Sequence, residues 1–182
     1  MTDARRVLRE ETRSLHDRAE RALGDTHLRE MSGYIHMLRS NLIVTQAVAR
    51  AAAPHLEAWL TRGLERDCDR LRSDLADLGA TCTIPSVSID IGDAAGAMGA
   101  VYVMEGARLG GRVLARQVRT SLEFTDVRGA AYLNGEGDAS GARWRHFVDT
   151  LNCCVVSPDD IDRALGAARA TFGLIISTYG EA

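Results

Sequence analysis

The sequence predicts an all-α fold, a bundle of six to eight helices in one domain spanning residues 1–182. Three observations carry that expectation. Alanine, the strongest helix former, supplies 26 of the 182 residues. Apolar side chains recur at three- and four-residue steps over several long segments, the spacing of one helix face. Runs of β-branched residues are few, and the single alternating stretch, Val87, Ile89 and Ile91, has no second strand to pair with.

The first helix is expected from about Asp3 to Leu23, with Leu8, Leu15, Ala19 and Leu23 on one face, Arg6, Arg13, Asp17 and Arg21 turned to water, and Gly24 as its stop. The second runs from about Met31 to Ala53 from the Ser32 cap region and aligns Tyr34, Leu38, Leu42 and Thr45. Pro54 starts a third, His55 to Leu78, which buries Leu56, Leu60, Leu64, Leu71, Leu75 and Leu78 and ends at Gly79. Residues 80–93 read as an extended loop packed on the bundle. Asp93 caps a long fourth helix, Ala94 to Leu122. The glycine-rich stretch from Phe124 to Ser140 reads as a short helix flanked by loops, and Ala142 to Leu151 resumes helical spacing. For the last helix, Ser157 is the cap, Pro158 the first helical residue, and Asp159 and Asp160 the acids that favour a helix start. Ile161, Leu165, Ala168, Phe172, Ile175 and Tyr179 follow on one face.

Composition excludes several classes. With 46% hydrophobic and 26% charged residues the chain is neither disordered nor fibrous. Its net charge is −3, from 22 basic and 25 acidic residues, and every basic residue is arginine, interleaved with acids. No basic patch for a nucleic acid results. The most apolar stretches, Leu42 to Val48 and Ala164 to Ile176, are interrupted by Gln46 and Arg169 and fall short of the roughly 18 residues a membrane span needs. The first residues are charged throughout and lack a signal peptide's apolar run, so the expected location is the cytoplasm. Cys68, Cys82, Cys153 and Cys154 form no C-x-x-C pair, which fits reduced thiols, and the vicinal pair reads as small buried side chains.

Two features ask for chemistry. Thr12, His16 and Glu20 stand one turn apart beside the apolar face of the first helix. A carboxylate one turn from an imidazole can accept a hydrogen bond from one ring nitrogen and leave the other as an oriented lone pair. With no second ligand nearby, that donor suits an axial position on haem iron better than a free metal ion; alternatively His16 is a half-exposed residue paired with Glu20. In the fourth helix, Gly106, Gly110 and Gly111 each cost about 1 kcal/mol relative to alanine. Gly106 and Gly110 share a face that could admit a flat ligand or let the helix flex, or it could pack closely on another helix.

The string Thr12-x-x-x-His16-x-x-x-Glu20, followed downstream by Tyr102-Val103-Met104-Glu105-Gly106-Ala107-Arg108-Leu109-Gly110-Gly111, resembles the biliverdin-producing haem oxygenases. It is most similar to the bacterial branch that accompanies phytochromes. Asp74-Leu75-x-x-Leu78-Gly79, Trp144 and Phe147 before Leu151, and Ala170-Thr171-Phe172 support the resemblance in order along the chain. It implies a haem between a proximal N-terminal helix and a kinked, glycine-rich distal helix. His16 would be the iron ligand, Glu20 its orienting partner, and Ala19 a neighbour of the ring. Gly106 and Gly110 would form the distal, catalytic surface, reached also by Tyr102 and Ala107, with Phe172 walling the pocket. Arg9 and Arg13 are candidates to pair with the propionates, since a planar guanidinium matches a carboxylate; the other reading is a solvated charged face.

Haem would then be both substrate and prosthetic group. Dioxygen and an external reductant, such as a ferredoxin or flavin reductase, would complete the reaction to biliverdin, carbon monoxide and ferrous iron, with a bacterial phytochrome as a candidate acceptor. Ala107 departs from the pattern, because animal-type members carry an aspartate there that organises proton-delivering waters. Proton delivery would rest instead on waters held by backbone carbonyls or by Arg108 or Tyr102. A non-catalytic haem-binding or haem-sensing bundle is the alternative, and an interaction module without haem a further one. His27, His36, His55 and His146 read as surface or satisfied core residues.

Overall fold

The computed structural model describes residues 3–24, 27–122 and 128–180. Helix α1 (Ala4–Leu23) begins where the Asp3 carboxylate accepts the Arg6 N–H at 3.0 Å, a cap that contributes about 1 kcal/mol. A 3-10 turn at His27–Arg29 leads to α2 (Met31–Ala52). Glu30 precedes α2 in an extended conformation with no side-chain cap, so Ser32 falls inside the first turn. Helix α3 (Ala58–Asp77) starts later than expected. Pro54 stands in a separate 3-10 turn, Ala53–His55, after which Leu56 is extended and redirects the chain. Leu60, Leu64, Leu71 and Leu75 are buried as expected, while Leu56 and Leu78 at the two ends are only half-buried.

No regular element occupies residues 80–92, where Ile91 is buried and Val87 and Ile89 half-buried beside exposed Ser86, Ser88 and Asp90. Helix α4 (Ala94–Ser121) is capped by Asp93, which accepts the Gly96 N–H at 3.0 Å. Of the stretch expected as a short helix between loops, Phe124 to Val127 lie outside the described residues. The helix itself is α5 (Ala131–Asn134), followed by a 3-10 turn at Gly137–Ala139. Buried Asp74 accepts the Ala131 and Tyr132 N–H groups at 2.7 and 2.8 Å and so caps α5 from α3. Helix α6 (Ser140–Cys154) buries Phe147 and Leu151. Cys153 and Cys154, expected inside, are exposed, because the inward positions at this helix end are taken by Leu151 and Val155.

Helix α7 (Pro158–Gly180) opens on a reciprocal cap. The Ser157 hydroxyl accepts the Asp160 N–H at 3.1 Å, and the Asp160 carboxylate accepts the Ser157 N–H at 2.9 Å. The backbone bond from Ser157, followed by the one from its hydroxyl, lowers the Asp160 carboxyl from its usual 3.8 to about 2. An acid held lower in the folded than in the unfolded chain stabilises the fold above its unfolded value and loses that contribution as pH falls through the folded one. Wild type is therefore expected to melt above Asp160→Asn at pH 5, with the gap closing between pH 4 and pH 2 in thermal scans; a gap independent of pH would refute the assignment.

Helix α7 packs against α1, α2 and α4 and is the common wall of the bundle. One part of the core joins Leu8, Met98, Val101, Met104, Phe147, Ala168 and Phe172. The other gathers Tyr34, Leu38, Leu71, Val118 and Leu133 around α2 and α3. Small residues allow the closest approach. A methyl group on Gly99 would collide with the backbone of Ala164, and one on Gly96 with the carbonyl of Ile91. Helices α1 and α4 both lean on α7, and α4 packs in addition against α2, α5 and α6. No helix among the described residues is long and apolar enough to cross a membrane.

Candidate functional site

The strip on α1 begins with a residue that serves the helix. Buried Thr12 donates its hydroxyl to the Leu8 carbonyl at 2.7 Å and closes on its own backbone. One turn on, the His16 imidazole is 59% exposed, with Nδ1 3.7 Å from Glu20 Oε1. That separation exceeds a direct hydrogen bond, so Glu20 biases the ring electrostatically and leaves Nε2 unengaged by the pair. Phe172 of α7, itself buried, meets the imidazole edge-on with ring centroids 6.2 Å apart, and Ala19 is buried on the same helix. Ligand atoms of His16, Asp17 and Glu20 lie within 4.8 Å of one another, all three residues exposed. The set offers one nitrogen and two solvated carboxylates.

On α4 the glycines separate into two groups. Gly111 stands 2.8 Å from the Leu133 carbonyl oxygen, measured from where its methyl would be, and Gly96 and Gly99 are blocked by backbone. Gly106 and Gly110 differ: a methyl group on either meets nothing within 4 Å. Close packing therefore accounts for Gly96, Gly99 and Gly111 and does not account for Gly106 or Gly110. Leu109, 41% exposed, and Val113, 71% exposed, extend the same open side. An apolar helix face with missing side chains, open at both glycines among the described residues, has the shape and polarity to take a flat, apolar ligand.

Tyr102 lies one turn before Gly106, half-buried against Trp144 with centroids 6.0 Å apart. Burial holds its hydroxyl above the usual range, and the charges of Arg5 and Arg9 on α1 pull it partly back. Tyr102 and Arg9 are thus electrostatic neighbours across two helices. Arg13 is exposed further along α1, and Ala107 is exposed on α4 with no proton to give. His36 Nε2 lies 3.2 Å from the Tyr179 carbonyl, His146 stacks on Trp59 at 4.6 Å and His55 is exposed, so these three are surface or satisfied residues; the His27 side chain lies outside the described ones.

Arg108 is not available to hold water at the glycine face. Its Nε donates to Asp67 of α3 at 2.6 Å, its Nη1 pairs with Glu105, and its side chain is 9% exposed. Burial alone would pull its pKa down, but the carboxylates of Asp67 and Glu105 outweigh that and raise it. Arg143 of α6 forks onto the same carboxylate, with Nη2 to Oε1, the oxygen shared with Arg108, at 2.6 Å and Nε to Oε2 at 3.0 Å. Sequence reasoning missed Asp67, Glu105 and Arg143. The signal available was Glu105 and Arg108 recurring with Val101, Met104 and Gly111 at the spacing of the buried face of α4.

The residues fit a haem. An exposed imidazole offers the iron one nitrogen, the Gly106 and Gly110 face offers a van der Waals surface for the ring, and Arg9 with Tyr102 offers charge and a hydroxyl for carboxylates. Comparison with known proteins identifies the family. A heme oxygenase family model matches residues 2–180. The heme oxygenase of Neisseria meningitidis, solved in NO- and CO-bound forms, superposes with a TM-score of 0.76 at 24% identity, over 100% of this chain and 94% of that one. The heme oxygenase of Leptospira interrogans superposes with a TM-score of 0.78 at 16% identity, over 100% of both chains. No curated protein matches the chain in sequence. The imidazole on α1, the open glycine face on α4 and a family match across nearly every residue lead to one conclusion: the chain belongs to the heme oxygenase family, enzymes that open haem to biliverdin, carbon monoxide and ferrous iron.

Proposed function

We propose that His16 is the iron ligand and that Gly106 and Gly110 receive the opposite face of the same haem. The observation that carries this reading is the contrast within α4, where three glycines are pressed against backbone and Gly106 and Gly110 face open space. Bound haem supplies, with dioxygen and electrons, the oxidative chemistry that cleaves its own ring. The chain supplies placement. His16 gives a neutral nitrogen donor, and Glu20 favours the tautomer with its proton on Nδ1. Phe172 and Ala19 close the apolar wall beside it. Arg9, Arg13 and Tyr102 would pair with the propionates, the guanidiniums through their planar forks and Tyr102 through a hydroxyl that burial keeps protonated at neutral pH.

With Ala107 in place of an acid, protons reach the glycine face through water rather than a carboxyl group. An external donor such as a ferredoxin or a flavin reductase provides electrons, and a bacterial phytochrome is a candidate acceptor for the product. Exposed free thiols at Cys153 and Cys154 fit the reducing cytoplasm. Haemin added to the purified protein is expected to form a Soret band. Ascorbate or a ferredoxin system should then replace that band with broad absorbance near the red end of the spectrum. A band that forms and persists under reductant would overturn turnover and leave a haem-binding protein; no band at all would overturn the ligand assignment too.

A further inference from the structure

Behind the glycine face of α4 lie four buried charges, Asp67 of α3, Glu105 and Arg108 of α4, and Arg143 of α6, with side chains at most 10% exposed. Two carboxylates and two guanidiniums balance, and the outer members of the cluster are Arg70, on Asp67 at 3.1 Å, Glu136, on Arg143 at 3.4 Å, and Arg66, on Glu136 at 3.0 Å. Such a cluster is a weak source of stability, because desolvating the ions offsets their attraction and apolar groups of equal volume do as well. Arg108 Nη2 is even buried without an acceptor among the described residues. What the cluster provides is orientation, since a forked guanidinium on a carboxylate accepts a narrow range of geometries.

That orientation acts on one helix. At about 100° per residue, the midpoint of Glu105 and Arg108 lies about 150° around α4 from the midpoint of Gly106 and Gly110. On the open side, a methyl group at Gly106 or Gly110 would meet nothing within 4 Å among the described residues, so no close packing fixes the helix's rotation there. The buried side is held from two directions, by Asp67 of α3 and Arg143 of α6. Gly63 of α3 leaves the space that the Arg143 guanidinium fills, and Arg143 lies over Trp59 at 5.2 Å.

We infer that the Asp67–Arg108–Glu105–Arg143 cluster sets the rotation of α4 about its axis and thereby presents Gly106 and Gly110 to the haem; the four are positioning residues. The inference rests on the haem reading above. Its test is the double variant Glu105→Met/Arg143→Met, which replaces the shared ion pair by apolar chains. The variant should fold, with an unchanged helical spectrum, yet bind haemin about ten-fold more weakly, with a shifted Soret band and a changed ratio of biliverdin isomers. Wild-type affinity, band position and isomer ratio in a folded double variant would overturn it. If the double variant does not fold, Gly63→Ala decides, because its methyl displaces the Arg143 guanidinium with every charge kept: a shifted Soret band supports positioning, and an unchanged one overturns it. Wild-type protein that gives no Soret band with haemin overturns the haem reading and this inference together, whereas a normal wild-type band beside an unchanged variant overturns this inference alone.

Discussion

His16→Ala is expected to weaken haemin binding on the order of 100-fold or more and to remove or shift the Soret band. The expectation follows from number as much as from chemistry. His16 supplies the only imidazole of the His16, Asp17 and Glu20 set, and exposed carboxylates replace it poorly as donors to haem iron. Imidazole added to the variant should restore the band, which separates a lost ligand from a damaged fold. Glu20→Ala serves as the calibrating case. Loss of a partner that orients a ligand costs about 10- to 100-fold in affinity. Here the two groups are 3.7 Å apart and 59% and 69% exposed, so the effect should fall at or below the lower figure. An unaltered Soret band in His16→Ala would remove the proposed ligand.

Alanine at Gly106 or Gly110 is expected to move stability and function in opposite directions. Neither methyl group meets the protein, so each substitution should stabilise the haem-free chain by about 1 kcal/mol through helix propensity. For a chain of this size that raises the melting temperature by roughly 2–4 °C. The same methyl groups stand on the proposed ring surface and should lower haemin affinity and turnover. Gly99→Ala is the contrast, since its methyl group strikes the backbone of Ala164, and the fold should lose about 3 kcal/mol or more. Melting curves of the haem-free variants beside haemin titrations check both signs. If Gly106→Ala and Gly110→Ala bind and turn over haem as wild type does, the glycine face is not the ring surface.

Local chemistry made much of the fold legible in advance. Asp3, Asp93 and the pair Ser157 and Asp160 begin their helices at the expected residues, because a cap is a bond between neighbours in the chain. The miss at α3 has the same origin in reverse. Pro54 reads as a helix start, and it is one, but for a separate 3-10 turn whose exit through Leu56 depends on where the next helix must pack. Cys153 and Cys154 are exposed against expectation because two adjacent positions at a helix end take an inward or outward place only from the neighbouring helix.

The strip of Thr12, His16 and Glu20 and the order of the glycine motif were set by the sequence alone, since helical spacing converts them directly into faces. Which glycines pack and which stay open was decided only in three dimensions. Gly96, Gly99, Gly106, Gly110 and Gly111 are chemically identical, and only the positions of Ile91, Ala164 and Leu133 distinguish them. The same holds for the buried charges, where Asp67, Glu105 and Arg143 come from three helices and acquire partners only when those helices meet. Sequence determines what lies within a few turns of one helix, because covalent geometry sets those distances. Groups brought together from distant parts of the chain owe their meeting to packing, and in this protein packing decides which face of α4 is left free, the face proposed to meet the haem.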